Sequence, residues 1–484
     1  MARNIVIFSD GTGQRGGVLV DERRSNIYKL YRATRCGPDS GVDPAEQLAY
    51  YDPGIGTLPP GSGGLGNLWR RVYNLVSQAL GLGLTGNIID CYAALIQLWR
   101  PGDRIFLFGF SRGAYTIRCL SAVICRCGIP TQMKDGSPLR RDTASVKKIA
   151  SEAVKGVYQH TSSWMRGKAS PRQLELLDQR DALTARFHTR YGSGDGTGTN
   201  AYPYFVGVFD TVASLSNPVA LAGLLAFVPI ATALVSGLAW LILWLFGYQI
   251  AWWMLWLGLT VAVGVIGGLV HTLMRIRVAF GLEKHPWYRT LHLTEPRMKF
   301  YDLTLNPNIK FARHAISIDE ARPSFQRVPW GGSGNRQTSF AQLWFAGCHS
   351  DVGGSYLENE SRLSDISLQW MLEAATGAGL KHDESLLRLY PDSAGPQHDE
   401  VKGSIFRFAG SKLRPIGNDY PLHPSVIERF AAAEVLNYDT MMPYRPENLR
   451  DHDAVKQFYG DAANKQHRDI RNDQAAAERA AIRQ

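Results

Sequence analysis

The sequence DRIFLFGFSRG, residues Asp103 to Gly113, holds an apolar run that ends in Gly109-Phe110-Ser111-Arg112-Gly113. Apolar residues then recur at helical spacing from Ala114 to Ile124. A strand, a sharp turn and a helix in this order are the context that a nucleophile elbow requires. Such a turn exposes its serine above the edge of a parallel sheet, and its glycines let strand and helix approach closely. The stretch therefore predicts an α/β fold with Ser111 as a nucleophile.

Backbone N–H groups at two loops are the candidates for an oxyanion hole. The N–H of Arg112, the residue after the predicted nucleophile, points in such turns to where the oxyanion forms. The second loop, Asp10-Gly11-Thr12, follows the first predicted strand, Asn4–Ser9. We expect the N–H groups of Gly11 and Thr12 to complete the hole and Asp10 to order the loop. Since no His or carboxylate stands near Asp10 at the spacing of metal ligands, we expect neither a metal nor a cofactor.

One carboxylate and three histidines are the candidates for the rest of a catalytic triad. Asp210 follows the buried run Tyr204–Phe209. Hydrolases with a nucleophile elbow carry the acid that orients the histidine at the end of a strand. His349 follows a late strand and precedes a glycine-rich turn, so we predict it as the general base. We interpret His314 as a strand residue with a buried hydrogen bond. His423 precedes a proline and is interpreted as a turn residue.

Three alternatives to this triad remain open from the sequence. Asp351 permits a Ser-Asp dyad of the patatin type, although Val352 stands where that family has Gly, so we expect Asp351 to bond its own loop. The pattern G-x-G-x-x-G at Gly11 permits a nucleotide site, but the required helix and acidic residue do not follow it. The third alternative is a catalytically inactive, membrane-anchored scaffold with the same fold.

Residues Thr211 to Met274 contain no Asp, Glu, Lys or Arg. They divide into two apolar blocks, about Leu221–Phe246 and Ile250–Val270, each long enough to cross roughly 30 Å of hydrocarbon as a helix. Arg275 and Arg277 follow, and the positive-inside rule then places the flanking domain in the cytoplasm. Tryptophans gather around the joint, as at a membrane interface, at positions 240, 244, 252, 253 and 256. The stretch predicts a membrane-spanning or membrane-associating hairpin, with a pair of buried core helices as the alternative.

The length and charge of the chain indicate a large protein, and its basic residues are not arranged as in a nucleic-acid-binding surface. The chain has 484 residues and a net charge of +10, but no run of Lys and Arg interleaved with aromatic residues. We expect no nucleic-acid partner and attribute the charge to a surface facing anionic lipid. Six scattered cysteines are expected to be free thiols. We predict core segments at 1–130, 201–216 and 275–430, a helical cap and linker at 131–200, the hairpin at 217–274 and a polar helical tail at 431–484.

Six blocks of the sequence together resemble one family, the α/β-hydrolase domain DUF2235. This family includes the catalytic domain of one class of type VI secretion phospholipase effectors. The resemblance covers most of residues 1–430 in the right order, apart from the hydrophobic hairpin, and implies a Ser-Asp-His triad of Ser111, Asp210 and His349 acting on phospholipid or other ester bonds. The blocks are DGT at 10–12, GFSRGAYT at 109–116, GVFDTV at 207–212, HAISIDEAR at 314–322, WFAGCHSDVGG at 344–354 and HPSV at 423–426.

The sequence therefore predicts a membrane-associated serine hydrolase of phospholipid esters. Its fold class is α/β, a mostly parallel sheet flanked by helices, with a helical cap and an inserted two-helix hairpin. Membrane lipids are the expected partners, and any secretion or immunity partner is unknown. We expect the protein to lie in the bacterial inner membrane with its hydrolase domain in the cytoplasm. If it is an effector, we expect it to be delivered to a target membrane.

Overall fold

A computed structural model describes most of the chain. The described residues are 2–11, 22–54, 83–212, 218–294, 304–331, 338–401 and 410–460, except 163, 165, 324, 326 and 329. Thr12 and the end of the predicted tail, 461–484, lie outside them.

A parallel sheet forms the centre of the molecule. The strands are Asn4–Ser9 (β1), Gln47–Asp52 (β2), Arg104–Phe110 (β3), Pro203–Phe209 (β4), Ile276–Arg277 (β5), His292–Leu293 (β6), Phe311–Ser317 (β7), Ser339–Phe345 (β8), Val435–Asn437 (β9) and Thr440–Met442 (β10). Six of them form one sheet in the order β2-β1-β3-β4-β7-β8, and every neighbouring pair is parallel. The carboxyl ends of these strands therefore meet at one edge, and the predicted α/β class is confirmed.

Helices cover both faces of the sheet. The α-helices of the described residues, including those that lie away from the sheet, are Asn26–Thr34 (α1), Gly83–Leu98 (α2), Arg112–Cys127 (α3), Thr143–Ser151 (α4), Pro171–Tyr191 (α5), Pro218–Leu245 (α6), Trp252–Arg275 (α7), Trp287–Thr290 (α8), His349–Gly353 (α9), Arg362–Gly377 (α10) and Pro424–Ala431 (α11). Ile5 and Ile7 of β1 pack in a buried cluster with α2 and α3, whereas Val6 and Phe8 pack with α1 and α10. This division follows because successive side chains of a strand point to opposite faces.

The polar segment between α3 and β4 is largely helical, as its spacing predicts, and is called the cap below. It contains α4, a π-helical turn at Glu152–Val157 and the long helix α5. At the start of α5, Ser170 and Gln173 form a reciprocal capping box, and the helix ends at Gly192 in a left-handed conformation with φ 59°. Buried Phe187 of α5 joins the cluster that α2 and α3 form on the sheet. The cap is thus anchored to one face of the core.

The uncharged stretch forms two long antiparallel helices, α6 and α7. Both are long and apolar enough to cross a membrane, by length and composition. None of the α7 side chains, all of which are described, is buried, so the alternative of a buried pair of core helices is wrong for α7. Polar contacts join the helices. The Thr232 and Thr260 hydroxyls lie 2.7 Å apart, and Trp256 Nε1 donates to the Pro229 carbonyl at 3.0 Å.

The prediction of a polar helical tail at 431–484 is wrong for its described part. The strands β9 and β10 pair antiparallel, and Tyr444 and Leu449 are buried. Both belong to a cluster with Ile316 of β7 and Trp344 of β8. The apolar residues here stand between charged ones without a helical or strand period, so only their long-range packing on the sheet shows that they are core.

Candidate active site

Ser111 lies on a strained turn between β3 and α3. Its φ of 58° and ψ of −120° place it where residues with a Cβ are rare. Such strain costs about 1–3 kcal/mol and persists only where the surroundings enforce it. The Ser111 N–H donates to the Phe209 carbonyl at 3.1 Å, and the Tyr115 N–H donates to the Ser111 carbonyl at 3.2 Å. These bonds hold the serine at the carboxyl edge of the sheet.

Close backbone contacts require both glycines of this turn. A Cβ on Gly113 would lie 2.0 Å from the Ser9 carbonyl oxygen, and a Cβ on Gly109 would lie 2.5 Å from the Gly113 carbonyl oxygen. Both neighbours are backbone atoms, so no side chain can move aside. The glycine spacing read from the sequence therefore follows from the packing of α3 against β1 at Gly113 and against β3 at Gly109.

Asp210 and His349 form a buried hydrogen-bonded pair at the same edge. Asp210 follows β4 with a φ of 37° and is fully buried. Its Oδ2 lies 2.5 Å from Nδ1 of His349, and its Oδ1 accepts the Ser317 N–H at 3.1 Å. An ionised carboxylate only accepts hydrogen bonds, so Nδ1 carries the proton and Nε2 is the basic nitrogen.

The His349 ring is enclosed by two aromatic side chains. Phe110, the neighbour of Ser111, stacks on it with ring centroids 4.6 Å apart, and Phe325 meets it edge-on at 5.0 Å. The backbone N–H of His349 donates to Glu320 Oε2 at 3.2 Å. Nε2 is buried without a hydrogen-bond partner among the described residues, Ser111 included. In enzymes without substrate, the contact between base and nucleophile is often long and tightens in the complex.

Arg414 is a member of this site that the sequence did not indicate. It is buried, and its Nη1 and Nη2 donate to Oδ1 and Oδ2 of Asp210 at 2.6 and 3.0 Å. Nη1 also donates to Ser317 Oγ at 2.9 Å. Burial alone would raise the pKa of Asp210, but the Arg414 charge and the His349 hydrogen bond outweigh it and hold that pKa well below its ordinary value. Asp210 is therefore ionised at neutral pH.

The other two candidate histidines do not contact Ser111 or Asp210 by hydrogen bonds. His314 is fully buried in β7, where its Nδ1 lies 2.9 Å from Gln342 Oε1 and its Nε2 accepts the Thr211 N–H at 3.3 Å. Burial lowers the pKa of His314 to about 3, so the ring is neutral. His423 caps the N-terminus of α11 by accepting the Ser425 N–H. Both placements agree with the buried-bond and turn interpretations.

Asp351 bonds its own loop and a distant histidine. Its Oδ2 accepts the N–H groups of Cys348 and His398, each at 3.0 Å, and its Oδ1 lies 2.7 Å from His398 Nδ1. No hydrogen bond among the described residues joins Asp351 to Ser111. These contacts agree with the structural interpretation of Asp351 and give the Ser-Asp dyad no support.

Asp10 orders the loop after β1. Its Oδ2 accepts the hydroxyls of Ser25 and Tyr51 at 2.5 and 2.7 Å, and its Oδ1 accepts the Gly11 N–H at 2.7 Å. Burial raises the pKa of Asp10 to about 6. The Gly11 N–H is thus already engaged, whereas the N–H of Arg112 belongs to the first turn of α3, where no intrahelical acceptor exists.

The Arg112 side chain adds an uncompensated positive charge beside the nucleophile. The residue is half-buried as a whole, and burial of the guanidinium lowers its pKa to about 10. The guanidinium forms no ion pair or hydrogen bond with the described residues. Elsewhere, the six cysteines are free thiols, and within the described ranges no three His, Cys, Asp or Glu side chains come together at metal-binding distance.

The parallel sheet flanked by helices defines a protein of the α/β class. The model of the family "T6SS, Phospholipase effector Tle1-like, catalytic domain" matches residues 3–233 and 262–374. The chain therefore belongs to this family, and the predicted resemblance to type VI secretion phospholipase effectors is confirmed. The match omits residues 234–261, which lie in the α6–α7 hairpin.

Three further proteins are similar to parts of the chain. An uncharacterized protein of Saccharomyces cerevisiae is 36% identical over 132 residues, which are 26% of this chain and 18% of the yeast protein. A crystal structure of an uncharacterized protein from Pseudomonas aeruginosa aligns with 80% of this chain and 47% of its own, at 17% identity and a TM-score of 0.33. A structure of the Tle1 effector bound to the VgrG spike of the type 6 secretion system aligns with 81% and 78%, at 13% identity and a TM-score of 0.32.

Proposed function

We propose that this protein is a membrane-associated serine hydrolase that cleaves carboxylic ester bonds of phospholipids through Ser111, His349 and Asp210. The observation that carries the proposal is the buried Asp210–His349 pair, whose basic Nε2 has no described partner and whose ring stacks on the residue next to strained Ser111. A buried basic nitrogen without a described partner, at the same edge of the sheet as a serine, suits proton abstraction from a hydroxyl.

The chemistry is acyl transfer in two steps. His349 Nε2 takes the Ser111 hydroxyl proton while Ser111 Oγ attacks the ester carbonyl carbon. The Arg112 N–H stabilises the oxyanion. Asp10 already engages the Gly11 N–H, and the other predicted donor, Thr12, lies outside the described residues. The intermediate collapses, the leaving alcohol takes the proton from His349, and water then hydrolyses the acyl-enzyme with His349 again as base. Asp210 holds the imidazole tautomer and stabilises its positive charge.

Arg112 supports an anionic substrate. A half-buried cation without a counter-ion is costly, and a phosphate placed near Ser111 would compensate it with charge-assisted hydrogen bonds. A phospholipid carries such a phosphate next to its ester groups. Membership of a phospholipase effector family points to the same substrate class.

The exposed helices α6 and α7 support action at a bilayer. We propose that they enter the membrane as a hairpin and leave it on one side. Large apolar side chains are exposed along α7 and along the part of α6 whose side chains are described, from residue 226 onwards, and basic residues follow at the exit. The catalytic domain would then face the cytoplasm of the cell that holds it, either the producing cell or a target cell after delivery. A secretion partner that carries the chain is part of this proposal.

The proposal is tested with full-length protein purified in detergent and returned to phospholipid vesicles. Fatty-acid release and hydrolysis of a soluble nitrophenyl ester are measured for the wild type, Ser111→Ala and the control Ser121→Ala, which alters another buried serine of α3. We expect Ser111→Ala to lose both activities by about 10³-fold or more and Ser121→Ala to keep them. Equal activity of the wild type and Ser111→Ala would reject the mechanism, whereas a wild type without activity on either substrate would favour the inactive scaffold.

A further inference from the structure

The chain forms a compact segment directly after the hydrophobic hairpin. This exit segment, 276–293, begins where α7 ends, and its two short strands β5 and β6 pair antiparallel, with α8 between them. The Thr294 N–H donates to the Arg275 carbonyl at 2.9 Å, and Arg275 Nε donates to the Thr294 carbonyl at 2.9 Å. These bonds close the segment at the base of α7, so it stands where the hairpin leaves its apolar environment.

One side of the exit segment is fixed to the cap. Arg172 Nη2 of α5 donates to the Arg289 carbonyl at 2.9 Å, and Arg186 Nη1 of α5 donates to the Phe280 carbonyl at 2.5 Å. Inside the segment, buried Thr290 accepts the Ala279 N–H through its hydroxyl at 2.8 Å. The backbone is therefore held in place, and the segment presents a fixed outer side.

Large apolar side chains lie on that outer side. Phe280, Trp287 and Tyr288 are each more than half exposed, and Leu291 and Leu293 are about as open. The Phe280 and Trp287 rings stack with centroids 6.2 Å apart, and Trp287 meets Tyr288 edge-on at the same distance. A contiguous exposed aromatic patch of this kind marks a surface that something else covers.

We propose that the exit segment lies in the interfacial layer of a lipid bilayer and holds the cap against the membrane surface. The inference rests on the proposed insertion of the hairpin, because continuity with α7 places the segment within the headgroup layer that begins where the hydrocarbon ends. Trp and Tyr are the side chains that favour this layer. Four Lys or Arg residues stand between 275 and 293 against one acid, Glu283, which suits an anionic lipid surface.

The test places a fluorescent thiol label at Tyr288→Cys in the full chain, with the half-buried Cys36 and Cys125 changed to serine. The protein is reconstituted in vesicles of phosphatidylcholine and phosphatidylglycerol that contain lipids with a nitroxide near the headgroup. The matched control is Tyr390→Cys, since Tyr390 is equally exposed but bonds to α10, on the opposite face of the sheet from the cap. Leu241→Cys, exposed on α6, reports insertion of the hairpin.

We expect the nitroxide lipids to quench the label at 288 at least about threefold more than the label at 390, with the label at 241 also protected from water. Quenching at 288 no greater than at 390, with 241 inserted, would overturn the inference while leaving the proposed hairpin intact. Labels at 241 and 288 that both remain in water would overturn the inference together with the proposed insertion. Because neither readout depends on catalysis, both outcomes are separate from the fate of the serine mechanism.

A second experiment asks whether a protein, rather than lipid, covers the patch. The variant Phe280→Ser/Trp287→Ser/Tyr288→Ser is compared with Tyr390→Ser on vesicles and on the soluble ester, with purified components only. We expect the triple variant to lose about tenfold on vesicles, because less apolar area enters the interface, and to keep the ester activity that reports an intact fold. An unchanged rate on vesicles would contradict lipid as the occupant and favour a protein partner.

Discussion

The carboxyl edge of the sheet and the α6–α7 hairpin differ in what they bury. The sheet edge buries charged and polar groups, whereas the hairpin exposes apolar ones. At the sheet edge, the Asp210 carboxylate is fully buried and receives hydrogen bonds from Arg414, His349 and Ser317. In the hairpin, α7 buries no side chain, and its polar contacts with α6 are few, such as the Thr232–Thr260 pair. At the sheet edge, the low-dielectric environment of the polar groups consists of protein atoms. The hairpin has the composition of a segment whose apolar surroundings are lipid.

This difference separates two properties that the predictions can test independently. Changes at the sheet edge should alter the chemical step and the stability of the folded domain. Changes in the hairpin should alter access to lipid and leave the chemistry intact.

The largest expected effect comes from a comparison of two of the candidate histidines, His349 and His423. His349→Ala should lower hydrolysis of the soluble ester by about 10⁴-fold or more, because the general base is removed. His423→Ala should stay within about threefold of the wild type, since it loses only a helix cap. Steady-state rates decide between them, with circular dichroism as the check of folding. A His349→Ala variant with near-normal rates would show that another residue is the base.

The next effect is expected from deletion of the hairpin. Replacing residues 217–274 with a short glycine-serine linker should lower the rate on vesicle phospholipid by about 100-fold, because the enzyme no longer concentrates at the bilayer. The rate on the soluble ester should change by less than about threefold. Equal loss on both substrates would mean that the hairpin supports the fold of the catalytic domain, and the contrast between the two regions would fail.

Arg414 is expected to act mainly on stability. Arg414→Met leaves the Asp210 charge buried and unpaired on one side, and should lower the free energy of unfolding by about 3 kcal/mol or more. The lowered pKa of Asp210 stabilises the folded state above the pKa of the unfolded state, and this stabilisation is lost as the pH falls. The difference in free energy of unfolding between Arg414→Met and the wild type should therefore shrink under acidic conditions. Denaturant unfolding at several pH values measures this. Arg450→Met, at an exposed arginine, is the control and should cost less than about 0.5 kcal/mol.

The smallest expected effect concerns Asp52, which ends β2 beside the Asp10 loop. Burial raises the pKa of Asp52 to about 6, so its contribution to stability is full below pH 4 and is lost as pH rises to about 6. Asp52→Asn should therefore stabilise the protein at pH 8 relative to the wild type, by about 1–2 kcal/mol, and have little effect at pH 4. The exposed Asp439→Asn serves as the control. A gain of equal size at both pH values would assign the effect to something other than ionisation.

The sequence predicted those parts of the site that local patterns encode. The strand β3, the turn at Ser111 and the helix α3 are contiguous, and the glycine spacing reports the backbone contacts that the turn must make. Asp210 and His349 each follow a strand of a parallel sheet, and such positions converge at one edge. The two helices of the hairpin were also predicted, because a long stretch without charged residues is visible in the composition alone.

What the sequence did not reveal depends on contacts between distant residues. Arg414 stands 204 residues from Asp210 in a segment without helical or strand periodicity, so only the folded chain shows that the two are paired. The strands β9 and β10 are three residues each and lie in a polar segment. Their place in the core depends on packing against Trp344, which no local pattern predicts.

Covalent trapping shows whether Ser111 is a nucleophile that His349 activates. Full-length protein is treated with an alkyl fluorophosphonate, and the modified peptide is identified by mass spectrometry in the wild type and in His349→Ala. We predict one adduct, on Ser111, formed rapidly in the wild type and at least about 100-fold more slowly in His349→Ala. No adduct on Ser111, or an adduct whose rate is independent of His349, would contradict the account.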